Sequence, residues 1–189
     1  MSALRLQALS EPGPVPEIAS PRLVLRPHKA GDSEAIAASL SDQRVARMLA
    51  RVPAPYHRLD AVDWLNRQTA SPRPPGWAHA VTTGDDVHIG CVIVSPRQGA
   101  WHVGYWLNRF YWGRGLMSEA VHAVAERFFM RMPDVPLHSG VFADNAASLK
   151  LQTRLGFRIT GLGEVFALAR NETVAELHTA LNARDLRRP

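Results

Sequence analysis

The chain has 189 residues, of which 46% are hydrophobic and 21% charged, a balance that predicts one globular domain. Its single cysteine, Cys91, excludes an intramolecular disulfide, which is typical of a reducing compartment. The formal net charge of +5 comes almost wholly from arginines scattered among acidic residues, which argues against nucleic acid as a partner and favours a small polyanion.

The first 20 residues predict neither a signal peptide nor a membrane anchor. They contain no apolar core of signal-peptide length, and no apolar run in the chain approaches the roughly 20 residues that span a bilayer. Three prolines and a glycine within 12–16 predict a flexible N-terminal arm over 1–20, because proline disrupts regular structure. We therefore expect a single cytoplasmic domain over 21–189 that does not contact a membrane.

The first half of the domain predicts one strand followed by three helices. The strand covers 22–27 and ends at a proline, and the first helix has an N-cap at residue 32 or 33. A second, short helix begins at 41–42, and a third covers about 59–68 with its apolar residues on one face. A proline-rich turn is predicted over 72–76.

Three strands then predict an antiparallel meander. They cover 77–83, 87–95 and 101–108. The intervening segments Gly84-Asp85-Asp86 and 96–99 predict tight turns, so consecutive strands run in opposite directions.

The last third alternates between helices and strands. Apolar residues recur every fourth position from Leu116 to Phe128 and predict an amphipathic helix. The elements that follow are a strand over 137–142, a helix over 145–155 ended by Gly156, and strands over 157–162 and 173–181. Together they predict a mixed α/β sheet of about seven strands, mostly antiparallel in its N-terminal half, with helices on both faces.

The clearest chemical signal lies between strand 101–108 and the helix that follows it. Gly113-Arg114-Gly115 precedes that helix, whose first N–H groups have no partner within it and carry a partial positive charge. The glycines allow the backbone to approach an anion closely, and Arg114 adds a full positive charge. The segment therefore predicts a phosphate-binding loop.

Four segments in the same order resemble a known family. Residues 112–120, Trp-Gly-Arg-Gly-Leu-Met-Ser-Glu-Ala, are similar to the acetyl-CoA pyrophosphate loop of the GNAT N-acetyltransferases, and closest to that of the Rim-type ribosomal-protein alanine acetyltransferases. Residues 20–27 resemble the first strand of that group, 104–108 its central strand and 145–157 its second CoA-binding segment. The match covers about 20–182 and implies a GNAT fold whose central strands splay apart.

The resemblance implies transfer of an acetyl group from acetyl-CoA to a primary amine, by direct attack in a ternary complex. In such an enzyme the amides of 113–118 hold the pyrophosphate, and the backbone of 107–108 pairs with the pantetheine and acetyl groups. The side chains of Trp106 and Trp112 are interpreted as core, and Glu119 as structural. The implied cofactor-binding set is Leu107, Asn108, Trp112, Gly113, Arg114, Gly115, Leu116, Met117, Ser118, Asn145, Ser148 and Arg154.

Three members of this set have simpler explanations that the sequence leaves open. Asn145 is implied to bind the pantetheine arm, but a helix N-cap explains it equally well. Arg154 is implied to meet a CoA phosphate, or it belongs to a solvated helix face. Ser148 corresponds to the serine proposed as general acid toward the CoA sulfur in Rim-type enzymes, or its hydroxyl is satisfied by its own helix.

A general base is harder to assign. His102 alternates with Val103 and Tyr105, which puts it on the opposite face of the sheet, and His79 has the same ambiguity. Near the C-terminal strands, which often border the acceptor site in this family, the candidates are Glu164, Glu176 and His178, and each also fits a surface residue. The eight histidines show no metal-ligand spacing, so we predict no metal.

The acceptor amine stays open at this point. The resemblance favours a protein N-terminal amine, a ribosomal protein among them, or a small-molecule amine. A cleft lined by acids would favour a polyamine, and an open groove a peptide; an amino acid or an antibiotic are further alternatives. Two other classes are a non-catalytic acyl-CoA-binding module, favoured by the lack of an obvious base, and an RNA-binding domain, favoured by the charge. Relatives are often dimers, which implies a homodimer.

Overall fold

The computed structural model describes residues 11–69 and 76–189, which form a single domain around one mixed sheet. The strands are β1 (Ile18–Ala19), β2 (Val24–Pro27), β3 (Trp77–Thr82), β4 (His88–Arg97), β5 (Ala100–Leu107), β6 (Leu137–Phe142), β7 (Arg158–Ala167) and β8 (Glu172–Leu181). The helices are α1 (Ser33–Leu40), α2 (Gln43–Ala46), α3 (Arg58–Thr69), α4 (Leu116–Arg131) and α5 (Ala146–Leu155). No helix within these residues is long and apolar enough to cross a bilayer.

The eight strands lie in the order β1-β2-β3-β4-β5-β6-β8-β7. Every neighbouring pair is antiparallel except β5 and β6, which are parallel. This confirms the predicted mixed α/β sheet with an antiparallel N-terminal half. The eighth strand is β1, which lies within the segment predicted to be an arm.

Residues 11–20 are docked on the domain, in contrast to the flexible arm predicted over 1–20. Ile18 pairs with Leu25 and is 6% exposed. The carbonyl of Gly13 accepts a hydrogen bond from Trp77 Nε1 at 2.9 Å, and that of Pro16 lies 3.0 Å from His79 Nε2. Prolines prevent a helix here, but their carbonyls remain acceptors for side chains of the sheet. The other part of the predicted arm, 1–10, lies outside the described residues.

The structure describes the turn predicted over 96–99 in full, but only the last residue of the turn predicted over 72–76. β4 runs on through Arg97, and the turn to β5 is only Gln98 and Gly99. Both have positive φ, 49° and 78°, as the two central residues of a type I′ hairpin turn do. The predicted turn over 72–76 lies outside the described residues except for Gly76.

The sheet packs helices on both faces, as the sequence predicts. On one face α4 and α5 bury the larger core, in which Phe128 lies against Trp77 and Trp101 with ring centroids 6.2 and 5.7 Å away. On the other face α1 and α3 bury a smaller cluster that includes Ile36 and Leu65. We refer to these as the α4/α5 face and the α1/α3 face.

A buried ion pair ties β2 to the start of α1. Arg26 Nη1 and Nη2 donate to the two carboxylate oxygens of Asp32 at 3.0 and 2.9 Å, and the Lys29 N–H adds a third bond at 2.8 Å. Burial by itself would raise the pKa of Asp32, but the hydrogen bonds from His28 and Arg26 hold it well below its usual range. Asp32 is the N-cap residue of α1, as predicted, yet its side chain serves Arg26 and accepts nothing from the first turn of the helix.

Removing the carboxylate of Asp32 leaves the Arg26 guanidinium buried without its bidentate partner. We expect Asp32→Ala to lower the free energy of unfolding by about 3–5 kcal/mol, measured by urea unfolding at pH 7. Asp86 bonds the same guanidinium at 2.6 Å but is half exposed, so Asp86→Ala is the control and should cost much less. Equal losses in the two variants would contradict this account.

Candidate active site

The parallel strands β5 and β6 pair only at their first residues. Trp101 lies opposite Leu137, and His102 lies opposite His138. One step further, Ser139 Oγ donates to the carbonyl of Val103 at 2.9 Å. Beyond this point the strands separate, as the splayed strands of the prediction require. A gap therefore opens in the sheet between the ends of β5 and β6.

The free backbone groups of β5 can be located from the alternation of hydrogen bonds along an antiparallel pair. The N–H of Asn108 donates to the carbonyl of Ile89 at 2.8 Å, so residues 108 and 106 face β4. Residues 105 and 107 consequently face the gap. The carbonyl of Leu107 accepts from Trp112 Nε1 at 2.8 Å. The N–H and C=O of Tyr105 and the N–H of Leu107 are left for a ligand, among the residues that the structure describes.

This alternation supports the role expected for Leu107 and revises that of Asn108. The Asn108 carbonyl accepts from the Tyr111 N–H at 3.0 Å, so both of its backbone groups have partners inside the protein. Its side chain caps the turn after β5, accepting from the Phe110 N–H at 3.0 Å, and donates to Ser39 Oγ at 2.9 Å. Asn108 therefore holds the loop against α1 and does not present a backbone group to the gap.

The loop at the end of β5 has the form of an anion-binding turn. Gly113 and Gly115 have φ of 74° and 73°, a region that glycine adopts without strain. The side chains of Leu116 and Met117 are buried in the core, which fixes the first turn of α4. The first backbone bond into this helix joins the Glu119 N–H to the Gly115 carbonyl at 3.1 Å. The N–H groups of 113–118 therefore have no acceptor among the described residues.

Two residues from the start of the domain anchor this loop. Glu119 Oε1 accepts from Ser20 Oγ at 2.7 Å and from the Arg22 N–H at 2.9 Å, and Oε2 accepts from Arg22 Nε at 2.7 Å. Arg22 Nη1 then donates to the Arg114 carbonyl at 2.8 Å. Burial would raise the pKa of Glu119, but these hydrogen bonds hold it below its usual value. Glu119 has the structural environment that the sequence analysis expected for it.

Arg22 is a site residue that the sequence analysis missed. It lay inside the resemblance over 20–27, where it was treated only as part of a strand. Its guanidinium lies 3.6 Å from the position that a Cβ on Gly115 would occupy, which brings a positive charge to the edge of the loop. Arg114 lies over the ring of Tyr111, 5.7 Å from its centroid.

Ser148 lies beside the gap on the α4/α5 face, in contact with a tyrosine. The hydroxyls of Tyr105 and Ser148 are 2.8 Å apart. Burial raises the pKa of Tyr105, and hydrogen bonds with Ser148 and Gln152 only partly offset this, so the phenol stays protonated at neutral pH. Tyr105 was missed because the alternation along β5 indicated a core residue.

Asn145 and Arg154 lie where their simpler explanations place them, at a helix N-cap and on an exposed helix face. Asn145 caps α5, its side-chain oxygen accepting from the Ser148 N–H at 3.1 Å. Arg154 lies in the last turn of α5 and is exposed, about 12 Å along the helix from its first residue. Their expected contacts with a cofactor stay predictions.

The two tryptophans of the motif differ. Trp106 packs against the smaller core on the α1/α3 face, as expected for a core side chain. Trp112 is 44% exposed, so its interpretation as core is wrong. Its indole N–H holds the Leu107 carbonyl, because the loop bends back across the end of β5.

Two further residues considered in the sequence analysis are buried, and a separate cluster offers possible metal ligands. His79 is fully buried under residue 16, and Cys91 is a buried thiol whose pKa burial raises. His28, Asp32 and His88 bring possible metal-ligand atoms within 4.8 Å of one another, although both oxygens of Asp32 already accept from Arg26. The absence of a metal stays a prediction.

Comparison with known proteins decides the family. The family described as "Acetyltransferase (GNAT) domain" matches residues 22–158. The chain is a GNAT acetyltransferase. Enzymes of this family transfer an acetyl group from acetyl-CoA to an amine. N-acetyltransferase p20 of Bacillus licheniformis is 26% identical over 145 residues, which are 75% of this chain and 82% of that protein.

Solved structures with this fold include Rim-type enzymes. A GNAT acetyltransferase from Bacillus anthracis has a TM-score of 0.77 at 20% identity and covers 89% of this chain and 99% of its own. RimJ of Mycobacterium smegmatis, in complex with CoA-disulfide, has a TM-score of 0.75 at 16% identity over 91% of this chain and 88% of its own. The ribosomal-protein-S5-alanine acetyltransferase of Vibrio fischeri has a TM-score of 0.71 at 19% identity, over 91% and 99%. These similarities confirm the fold expected from the resemblance.

The anchoring of the loop by Arg22 can be tested in the acetyltransferase. Arg22→Ala removes the donor to the Arg114 carbonyl and a charge from the loop. We expect the dissociation constant for acetyl-CoA to rise about 10-fold, as for loss of one hydrogen bond to a charged group. Calorimetric titration measures it. The matched control is Arg158→Ala, an exposed arginine paired with Asp185 at 3.3 Å. Parental affinity in both variants would contradict the role of Arg22.

Proposed function

We propose that this protein transfers an acetyl group from acetyl-CoA to the α-amine of a protein N-terminus, by direct attack in a ternary complex. The gap between β5 and β6 carries the proposal. Within 11–69 and 76–189, nothing bonds the backbone donors of β5 at this gap or the amides of 113–118, and the Tyr105–Ser148 pair lies at its side. A thioester bound there would contact both the free backbone edge of β5 and a proton donor.

The pyrophosphate of the cofactor belongs at the loop before α4. Six consecutive N–H groups that have no partner among the described residues, a helix N-terminus and two nearby arginines all favour a doubly charged anion. The pantetheine arm then extends along β5, where the N–H and C=O of Tyr105 and the N–H of Leu107 replace the strand that β6 does not supply.

Ser148 and Tyr105 supply the proton that the departing thiolate needs. A thiolate leaving the thioester beside these hydroxyls takes the Ser148 proton, and the Tyr105 phenol, which is 2.8 Å away, replaces it. The raised pKa of Tyr105 keeps its proton available throughout the neutral range.

The acceptor must reach the thioester as a neutral amine. An α-amine with a pKa near 8 is about one-tenth neutral at pH 7, whereas a lysine near 10.4 is neutral in roughly one molecule in 2,500. The larger neutral fraction supports an α-amine of a peptide as acceptor.

Two parts of this picture rest on the sequence alone and stay predictions. A cytoplasmic location would give the enzyme access to acetyl-CoA and to newly made protein N-termini. A homodimer is implied by the family and can be checked by light scattering.

The loop is tested by placing a carboxylate in it. We expect Gly113→Asp to raise the dissociation constant for acetyl-CoA on the order of 100-fold, because the carboxylate repels the pyrophosphate at close range. Gly99→Asp is the matched control, since Gly99 has a similar φ of 78° and equally open surroundings, in the turn between β4 and β5. Calorimetry on both variants separates the anion effect from backbone strain. Unchanged affinity in Gly113→Asp would overturn the loop assignment.

The proton donors are tested by removing each hydroxyl. We expect Ser148→Ala to lower kcat about 100-fold and Tyr105→Phe about 10-fold, with affinity for acetyl-CoA unchanged, as for loss of a general acid. Release of the CoA thiol with a panel of N-terminal peptides and small amines measures kcat. Thermal stabilisation by acetyl-CoA without thiol release from any amine would instead identify a non-catalytic acyl-CoA-binding module.

A further inference from the structure

The gap in the sheet has two sides, and only one of them carries the Tyr105–Ser148 pair. The faces of the neighbouring strands follow from the bonds of Gln152 in α5, whose Nε2 donates to Ser139 Oγ at 2.9 Å and whose Oε1 accepts from Thr179 Oγ1 at 2.7 Å. Ser139 and Thr179 therefore point to the α4/α5 face. Because side chains alternate, residues 138, 140, 176 and 178 point to the α1/α3 face.

On the α1/α3 face a carboxylate lies across β6 at the edge of the gap. A Cβ on Gly140 would lie 2.3 Å from Glu176 Oε1 and 2.4 Å from its Cδ. The missing side chain of Gly140 is thus what allows the carboxyl group to lie there. Neighbouring strands are about 4.8 Å apart, so the carboxylate reaches one strand beyond β8, to the strand that borders the gap. The Glu176 side chain remains 22% exposed.

A histidine supports this carboxylate from behind. His178 Nε2 lies 3.5 Å from Glu176 Oε2. The imidazole lies over β7, where a Cβ on Gly163 would be 2.8 Å from Nε2 and one on Gly161 3.7 Å from Nδ1. Glycines on both neighbouring strands therefore leave room for the two side chains to lie flat on the sheet.

The remaining polar groups on this side surround the end of the β5–β6 pairing. The rings of His102 and His138 lie 5.5 Å apart at the last paired position. Burial lowers the pKa of His102, and His138, Arg97, His178 and Arg51 lower it further. Glu164, an alternative base in the sequence analysis, follows Gly163 directly and so points to the other face of β7.

We propose that Glu176 is the base that takes the proton from the acceptor ammonium, approaching the gap from the face opposite the Tyr105–Ser148 pair. This inference rests on the proposed function. The N–H bond of the ammonium breaks and its proton goes to a carboxylate oxygen of Glu176. The nitrogen lone pair then forms the bond to the thioester carbon, the C–S bond breaks, and the thiolate takes a proton from Ser148. The nitrogen, now bonded to the acyl carbon, loses its second proton to water, and the Tyr105–Ser148 pair regains a proton from water. Glu176 returns its proton to water after the amide leaves.

The proposal is tested first by Glu176→Gln, which keeps the shape and removes the base. We expect kcat to fall about 100-fold with affinity for acetyl-CoA unchanged, as for loss of a general base. The remaining activity should rise steadily with pH, because the amine must then lose its proton to water. Glu172→Gln, on the exposed end of the same strand, is the control and should retain parental kcat.

A second variant moves the carboxylate without removing it. Gly140→Ala places a methyl group where the carboxyl of Glu176 lies, and this flexible side chain must shift, while the backbone of residue 140 is not in the positive-φ region. We expect kcat to fall about 10-fold at an unchanged melting temperature, and no further loss when the substitution is combined with Glu176→Gln. Losses that add in the double variant would overturn the proposal, since the two residues would then act independently.

The outcomes separate this inference from the proposed function. Parental kcat and pH profile in Glu176→Gln, in an enzyme that binds acetyl-CoA and releases thiol, would overturn the role of Glu176 alone. Absence of acetyl-CoA binding and of thiol release in the parental protein would overturn both.

Discussion

The site depends on one constraint, which is that β5 and β6 stop pairing after two residues. Unpaired backbone groups inside a protein are costly. A gap between neighbouring strands is therefore stable only where side chains, water or a ligand form hydrogen bonds with the exposed backbone groups. Here Ser139 takes the last carbonyl of β5 before the gap, and Gln152 and Thr179 hold Ser139 in place. The free edge beyond can accept an extended ligand as if it were a strand.

Polar side chains lie beside the same gap on both faces of the sheet. The loop before α4 follows the end of β5 beside this gap. Arg22 and Glu119 anchor the loop, and Trp112 donates a hydrogen bond to the carbonyl of Leu107 at the end of β5. Tyr105 and Ser148 face it from one side, and Glu176 reaches toward it from the other over a glycine. The proton donor and the proton acceptor that we propose, on opposite faces, suit a reaction in which one bond to carbon forms as another breaks.

Local patterns were sufficient for most of the architecture. The fourfold spacing of apolar residues in α4 and the strand and turn residues of β3 to β5 depend on neighbours along the chain, and those elements lie close to where the sequence predicts them. The prediction was wrong where distant parts of the chain compete with local preference. The prolines before β1 indicate an arm, yet the carbonyls of Gly13 and Pro16 meet the side chains of Trp77 and His79, which lie 64 and 63 residues further along the chain.

The sequence by itself determined the family, the glycine turn at Gly113 and Gly115 and the place of Ser148 in α5, because glycine conformations and helix starts are encoded within a few residues. Only the tertiary structure decided which polar side chains join them. Arg22 meets Glu119 from 97 residues away, Tyr105 meets Ser148 from 43 away, and Glu176 reaches Gly140 on the neighbouring strand β6. Such contacts depend on strand register and on missing side chains in neighbouring strands, which no local pattern records.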